Sequence, residues 1–206
     1  MDWEGPMSVV RPGRIAGNTH QSGFTMVEVL VTFVILAIGI LGIVTLLVTS
    51  KSSEFEAAQR ARAVHLAEEL VEKIRSNPRA VLAYETGMTH SASGSEPSPN
   101  CNTSACTTPA QLAAWDLWIW RRALEGNDVS IGVTPTAGLQ EAGGCIEFFP
   151  HGSYARTGQL QVHVQWTGLL DTGSGLTSAG DFCGPSGDLD LRRAVVATTF
   201  IVDPTE

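Results

Sequence analysis

Residues 29–50, VLVTFVILAIGILGIVTLLVTS, form a run of 22 residues without a charge. As an α-helix this run would extend about 33 Å, enough to cross a hydrocarbon core of roughly 30 Å. A secretory signal peptide has a shorter apolar core of about 7 to 15 residues and ends in a small-x-small cleavage site. Residues 46–51 supply no such site. The sequence therefore predicts one retained transmembrane helix.

The remaining composition limits the classes of function. A chain of 206 residues allows one ordinary globular domain besides the span. The net charge is -8 and only two of the 13 basic residues are lysines, Lys51 and Lys73, so no nucleic-acid partner is expected. The sequence has no nucleophile elbow, phosphate loop or zinc-binding motif, and its five histidines are dispersed. We therefore expect no enzyme activity, no catalytic residues, no cofactor and no metal site.

The charges that flank the span predict its orientation. Arg11 and Arg14 precede it, whereas Lys51 is soon followed by Glu54 and Glu56. Because positive charges are retained on the cytoplasmic side, we expect the N-terminus to be cytoplasmic and the remainder to lie in the periplasm. That space is oxidising, so the four cysteines can form disulfides there.

Glu28 stands at the cytoplasmic edge of the apolar run. Moving a carboxylate toward the centre of a bilayer costs a free energy on the order of 2.5–3.5 kcal/mol. We therefore expect Glu28 to have a partner for its charge or a functional role. The alternative interpretation is that Glu28 only marks the membrane interface and reaches the headgroups.

The stretch Gly23-Phe24-Thr25-Met26-Val27-Glu28, followed directly by the apolar helix, resembles the type IV prepilin processing site. The resemblance implies that prepilin peptidase cuts after Gly23 and methylates the new amino terminus of Phe24. It also implies that Glu28 pairs with the N-terminal amine of a neighbouring subunit during assembly. Initiation at Met7 instead of Met1 is an alternative that would leave a purely basic leader.

Later segments are similar to the family of type IV pilus modification protein PilV, a group of minor pilins. They are AQRARAVHLAEELVEKIRSNPRA, AQLAAWDLWIW and RRAVVATTFIV, and the resemblance extends over residues 23–202. It implies a structural subunit in the inner membrane and later in a surface pilus. Its partners would be prepilin peptidase, other major and minor pilins and the inner-membrane assembly machinery. A type II secretion pseudopilin is the alternative, and a DNA-uptake pilin is a weaker one.

The expected fold class is α+β and pilin-like, with a long N-terminal helix packed on an antiparallel β-sheet. The predicted parts are a leader (1–23), a transmembrane helix (24–50), an amphipathic continuation (51–77), a connecting loop (78–108) and a globular headgroup (109–206). In the continuation, an apolar stripe at helical spacing is expected to face the headgroup. Its residues are Ala63, Leu66, Ala67, Leu70 and Ile74.

Within the headgroup, Thr108-Pro109-Ala110-Gln111 predicts a capped second helix that closes before Gly126. We expect Ala113, Leu117, Trp120 and Leu124 to form its buried face, with Trp115 and Trp118 off that line. Residues 145–149, 160–166 and 193–202 are predicted strands, and residues 168–190 a long exposed loop. In the second strand Leu160, Val162, Val164 and Trp166 should face inward, and Gln161, His163 and Gln165 outward.

Four cysteines permit three disulfide pairings. We favour Cys101 with Cys106, because that bridge would staple a polar loop. We favour Cys145 with Cys183, because that bridge resembles the clamp around the C-terminal region of pilins. The other two pairings remain alternatives.

Overall fold

The computed structural model of the protein describes residues 23–89, 94–127, 130–131, 134–135, 138–171, 183–184 and 190–205. The predicted leader up to residue 22, and most of the predicted loop at 168–190, lie outside these residues. By contacts the chain divides into two compact units, one ending at Leu46 and one running from Leu47 to Glu206. Helix α1 (Met26–Ser76) contributes to both.

In the first unit, the described residues from Met26 onward belong to α1 and are exposed, and all of them except Glu28, Thr32 and Thr45 are apolar. The most apolar 18-residue window of the helix has no buried residue. Its length and composition suffice to cross a membrane. A helix that is apolar on all sides and covered by none of the other described residues needs a bilayer or other helices around it.

In the second unit, the C-terminal part of α1 buries one face. The predicted stripe is confirmed, because its five residues are all at most 5% exposed, and Val71 joins them. The helix ends at Ser76, as predicted from Pro78, which disfavours helical geometry at the residue before it.

The prediction of a connecting loop over residues 78–108 is wrong for about the first third of that range. Pro78–Ala80 form a 3-10 turn, Val81–Tyr84 a short helix (α2) and Thr86–Thr89 a strand (β1). Strand β1 consists of TGMT, which has no alternating apolar pattern. It forms because its backbone pairs with the edge of a longer strand, and such a contact leaves no local signal in the sequence.

Helix α3 (Pro109–Glu125) begins and ends as predicted. The Thr108 hydroxyl accepts a hydrogen bond from the Gln111 amide (3.3 Å), and the Gln111 side chain accepts one from the Thr108 amide (3.2 Å). Gly126 closes the helix with φ 74°, a conformation that favours glycine. The buried face is the predicted one, but Trp115 is buried as well, at 4% exposure. Of the two tryptophans predicted to lie off this face, Trp118 is the half-buried one, and the Arg122 guanidinium lies over its ring.

The expected α+β class is confirmed by a four-stranded antiparallel sheet, in which β1 pairs with the first of three longer strands that follow one another in chain order. Its longer strands are β4 (Gly143–Pro150), β5 (Gly158–Thr167) and β6 (Arg192–Ile201). Ser130–Ile131 (β2) and Thr134–Pro135 (β3) form a separate two-stranded antiparallel sheet. The register among β4, β5 and β6 is regular, with Val162 of β5 opposite Ile146 of β4 and Ala197 of β6, whereas the register between β1 and β4 shifts between Thr86 and Thr89.

The inner face of β5 is the predicted one, since Leu160, Val162, Val164 and Trp166 are all buried. On the outer face the prediction is wrong for Gln165, which is 2% exposed and donates from its amide to the Cys183 carbonyl at 3.2 Å. A disulfide-linked segment covers the sheet here, so alternation in the strand alone could not reveal this burial.

Helices and sheet meet at Trp120 of α3. Its indole N–H donates to the Leu66 carbonyl of α1 at 3.0 Å. On the other side, a Cβ at Gly144 of β4 would lie 2.4 Å from the Trp120 ring, so only glycine allows this close packing. The core of the unit therefore joins α1, α3 and the inner face of the sheet.

A buried polar network holds the end of α1 to α3. The Tyr84 hydroxyl donates to the Asp116 carboxylate at 2.6 Å, and the Asn77 side-chain amide donates to the Tyr84 hydroxyl at 3.2 Å and to the Pro109 carbonyl at 2.8 Å. Burial, followed by the hydrogen bond to Asp116, raises the pKa of Tyr84 well above its usual range. The phenol is thus kept neutral as a donor.

Tyr84→Phe is expected to lower the free energy of unfolding by about 1–3 kcal/mol, because it leaves the buried Asp116 carboxylate without its donor. A group whose pKa is raised on folding stabilises the fold below its unfolded pKa, here about 10, and loses this contribution as the pH rises beyond it. The free energy of unfolding of the wild type should therefore fall above pH ~10. The Tyr84→Phe variant should not show the part of this fall that comes from ionisation of Tyr84.

The chain offers a matched control, because its second tyrosine, Tyr154, is 50% exposed. Tyr154→Phe should leave unfolding unchanged when both variants are denatured with urea in detergent and followed by tryptophan fluorescence. Equal stability of the Tyr84→Phe protein and the wild type would show that the network contributes nothing.

Candidate processing and assembly site

The residues implied by the prepilin resemblance lie at the start of α1. Gly23, Phe24 and Thr25 precede the helix. The Thr25 hydroxyl accepts a hydrogen bond from the Glu28 amide at 3.3 Å, and the Thr25 carbonyl accepts from the amides of Glu28 and Val29 at 3.1 and 3.3 Å. Thr25 is therefore the N-cap of α1, and Glu28 is its third helical residue. Sequence reasoning missed this role, although threonine followed three residues later by glutamate is a capping-box pattern.

Gly23 and Phe24 stand free of the fold. A Cβ built on Gly23 would meet no atom within 4 Å, and the Phe24 side chain is 83% exposed. Nothing in the described chain therefore requires glycine at position 23. If glycine is needed there, the requirement comes from an enzyme that holds this segment as an extended backbone.

Glu28 is exposed in the first turn of α1. Within the part of the chain that the structure describes, no lysine or arginine lies within 4.0 Å of its carboxylate. The position is favourable for a negative charge, because the free amides of a helix N-terminus carry partial positive charge. That stabilisation does not neutralise a full charge next to an apolar segment, so a cation from beyond the described residues would complete the site.

The structure pairs the cysteines in the two favoured combinations. Cys101 is bonded to Cys106 with Cα atoms 5.3 Å apart, and Cys145 to Cys183 with Cα atoms 5.5 Å apart. The first bridge closes the tight turn before α3. The second connects the core of β4 to a position 38 residues away and covers the outer face of the sheet.

Glu147, His163 and Cys183 approach one another within 4.8 Å and could in principle hold a metal ion. The Cys183 sulfur is, however, already bonded to Cys145, and a disulfide sulfur lacks the thiolate charge that makes cysteine a metal ligand. Burial lowers the pKa of His163, which favours its neutral form. The cluster thus offers one imidazole and one carboxylate, too few for a structural zinc site.

Comparison with known families gives two adjoining matches. Residues 18–44 match the prokaryotic N-terminal methylation motif, and residues 45–118 match the family described as Tt1218-like, type IV pilin Tt1218. Part of the chain, residues 45–118, is therefore similar to type IV pilins. The methylation motif includes Gly23, Phe24 and Glu28, and the pilin match reaches from the end of the apolar run into α3. Searches of curated proteins and of solved structures gave no significant match.

The disulfides of this pilin-like headgroup allow a graded prediction. In the chain-entropy account, closing 38 residues stabilises a fold by about 4 kcal/mol and closing 5 residues by about 2 kcal/mol. Replacing Cys145 and Cys183 together with alanine should therefore lower the free energy of unfolding more than replacing Cys101 and Cys106. Urea denaturation of the two double variants in detergent measures this, and a larger loss from the Cys101/Cys106 variant would contradict it.

Proposed function

We propose that the protein is a minor pilin, a structural subunit of a type IV pilus of the PilV kind. Prepilin peptidase cuts between Gly23 and Phe24 and methylates the new amine of Phe24. Until assembly, α1 anchors the subunit in the inner membrane, with the leader in the cytoplasm and the second unit in the periplasm. The protein then joins other pilins in the filament through the inner-membrane assembly machinery.

The observation that carries the proposal is the charge of Glu28, which has no lysine or arginine of the described residues within 4.0 Å and lies in a helix with no buried residue in its most apolar window. Cleavage at Gly23 creates an amine four residues before Glu28. The amine of one subunit and the carboxylate of the next can neutralise each other when their helices bundle. Because desolvation opposes the Coulomb attraction in such a bundle, we infer that the pair selects axial register more than it adds stability.

The proposal favours a pilus over a type II secretion pseudopilus because the matched family is described as a type IV pilin. Deleting the gene in the native host should reduce surface pili and twitching motility and leave secretion of exoproteins unchanged. Complementation with the wild-type gene should restore the pili. Normal piliation together with lost secretion would replace the pilin proposal with the pseudopilin one.

A further inference from the structure

Strand β6 lies at the end of the four-stranded sheet, whose order is β1-β4-β5-β6. No strand among the described residues pairs with its other edge. Natural proteins commonly protect a sheet edge with proline, charged residues, a bulge or a short strand. Residues 194–201 of this ten-residue strand contain no proline and no charge, and their pairing with β5 is regular. The edge of β6 is therefore unprotected, and such an edge can pair with a further strand.

The backbone groups of alternate β6 residues point toward this open edge. The Gly168 amide donates to the Leu191 carbonyl at 2.8 Å, so these two residues form a hydrogen-bonded pair that continues the β5–β6 ladder. Hydrogen-bonded and non-hydrogen-bonded pairs alternate in an antiparallel ladder. The odd-numbered residues of β6 therefore bond to β5, and the even-numbered ones direct their amide and carbonyl groups away from it. These outward-directed residues are Ala194, Val196, Thr198 and Phe200.

A groove of about 440 Å³ lies between β6 and α1. It is lined by residues 197–199 of β6 and by Glu68, Val71, Glu72 and Arg75 of α1. All of these residues belong to the second unit. The Arg75 guanidinium donates to the Thr199 hydroxyl at 2.8 Å and so joins the helix to the strand within the groove. A strand added to β6 would have one of its two faces toward this flank of α1.

The α1 side of the groove has an excess of negative charge. Arg75 is paired with Glu72 at 2.9 Å. Glu68 is exposed, and no lysine or arginine of the described residues lies within 4.0 Å of its carboxylate. The other face of the edge is apolar, because Val196 is 48% exposed and Phe200 is 51% exposed. The groove thus favours an added strand with basic residues on one face and apolar residues on the other.

We propose that the open edge of β6 binds an extended segment of another protein by strand addition. Backbone hydrogen bonds to the outward-directed residues supply affinity, and the alternate side chains of the segment supply specificity. Its basic side chains face Glu68, and its apolar side chains lie beside Val196 and Phe200. A second copy of this chain is a poorer match, because β6 has no cation between Ala194 and Ile201 to place opposite Glu68. The inference goes beyond the proposed function and concerns the second unit alone.

The test measures binding of a fluorescein-labelled peptide, Val-Lys-Val-Lys-Val-Lys-Val, to the full chain in detergent by fluorescence anisotropy. When its valines lie opposite the outward-directed residues, their amides face β6 and the lysines face α1. N-methylation of the two central valines removes donors to β6 and should weaken binding about tenfold or more. N-methylation of two lysines should change binding little, because their amides point away from β6. Unchanged binding of the peptide with methylated valines would overturn the inference.

Thr198→Pro tests the edge from the side of the protein. The substitution removes an amide that points away from β5, so it breaks no hydrogen bond of the β5–β6 ladder, and proline is tolerated at such positions of edge strands. Thr198→Val is the matched control, because it keeps the amide. We expect the proline variant to bind the lysine peptide about tenfold more weakly or worse, and the valine variant to bind it like the wild type. Equal binding by the two variants would overturn the inference.

Glu68→Lys is a second variant that leaves β6 unchanged and alters an exposed helix residue. It reverses the excess charge on the α1 side of the groove. Binding of the lysine peptide should therefore weaken, and binding of the same peptide with glutamate in place of lysine should strengthen. Unchanged binding of both peptides would overturn the inference. A wild-type protein that is dimeric by light scattering in detergent, and monomeric as Thr198→Pro, would assign the edge to a second copy and would also overturn it.

Discussion

Glu28→Gln is expected to reduce incorporation of the subunit into pili on the order of 100-fold, while the amount of protein in the membrane stays the same. This figure takes the penalty of an uncompensated charge at the centre of a bilayer, about 2.5–3.5 kcal/mol, as the cost of a subunit amine left without its carboxylate. Glutamine preserves the shape and helix propensity of glutamate, and the Thr25 cap depends on the Glu28 backbone amide, not its side chain. The loss should therefore come from the missing charge and not from a damaged helix.

The measurement compares the variant in sheared pili with the variant in the membrane fraction by quantitative immunoblot. Glu54→Gln is the control, because Glu54 lies on the same helix beyond the apolar run, is exposed and has its own partner in Lys51. The control should enter pili normally. Equal incorporation of the Glu28→Gln and wild-type proteins would mean that assembly does not depend on pairing of the Phe24 amine with the Glu28 carboxylate.

Gly23→Val is expected to block processing, so that the protein accumulates as a precursor that keeps its leader. The protein itself should tolerate the substitution, since a Cβ at this position meets nothing within 4 Å and Gly23 precedes α1. A branched side chain would instead clash with a peptidase that binds this segment as extended backbone. The effect should be nearly complete, because the precursor has no other match to the cleavage site in the described chain.

Intact-protein mass spectrometry of membrane extracts distinguishes the precursor from the mature form. Gly39→Val provides the control, because Gly39 also has nothing within 4 Å of its Cβ position and differs in lying inside the apolar helix. It should be processed like the wild type. A Gly23→Val protein of mature mass would show that the glycine is not recognised.

The parts of the fold that could be predicted are those with a periodic local signal. The sequence predicted the stripe on α1 and the inner face of β5, because burial repeats every three to four residues in a helix and every two in a strand. It predicted the capping box at Thr108 from the spacing of Thr108 and Gln111. The end of α1 was readable because Pro78 restricts the backbone before it.

The parts that could not be predicted depend on contacts between residues far apart in the chain. Glu56 accepts from Leu169, 113 positions away, and Tyr84 reaches Asp116 across 32 residues. Contacts between such distant residues produce no periodic pattern in the sequence from which they could be predicted. Burial of Gln165 likewise depends on a segment brought over the sheet by Cys183. At the candidate site the opposite holds: Gly23, Phe24 and Glu28 could be proposed because they form a contiguous motif, and the contacts that would explain them are not among the described residues.

The most direct test is the identity of the first residue of the mature protein. Pili or membranes containing the protein can be purified, digested and sequenced by tandem mass spectrometry without prior enrichment of termini. We predict an N-terminal peptide that starts at Phe24 and carries one methyl group on its α-amine. A mature chain that starts at any other residue, or that retains the segment before Phe24, would contradict the account.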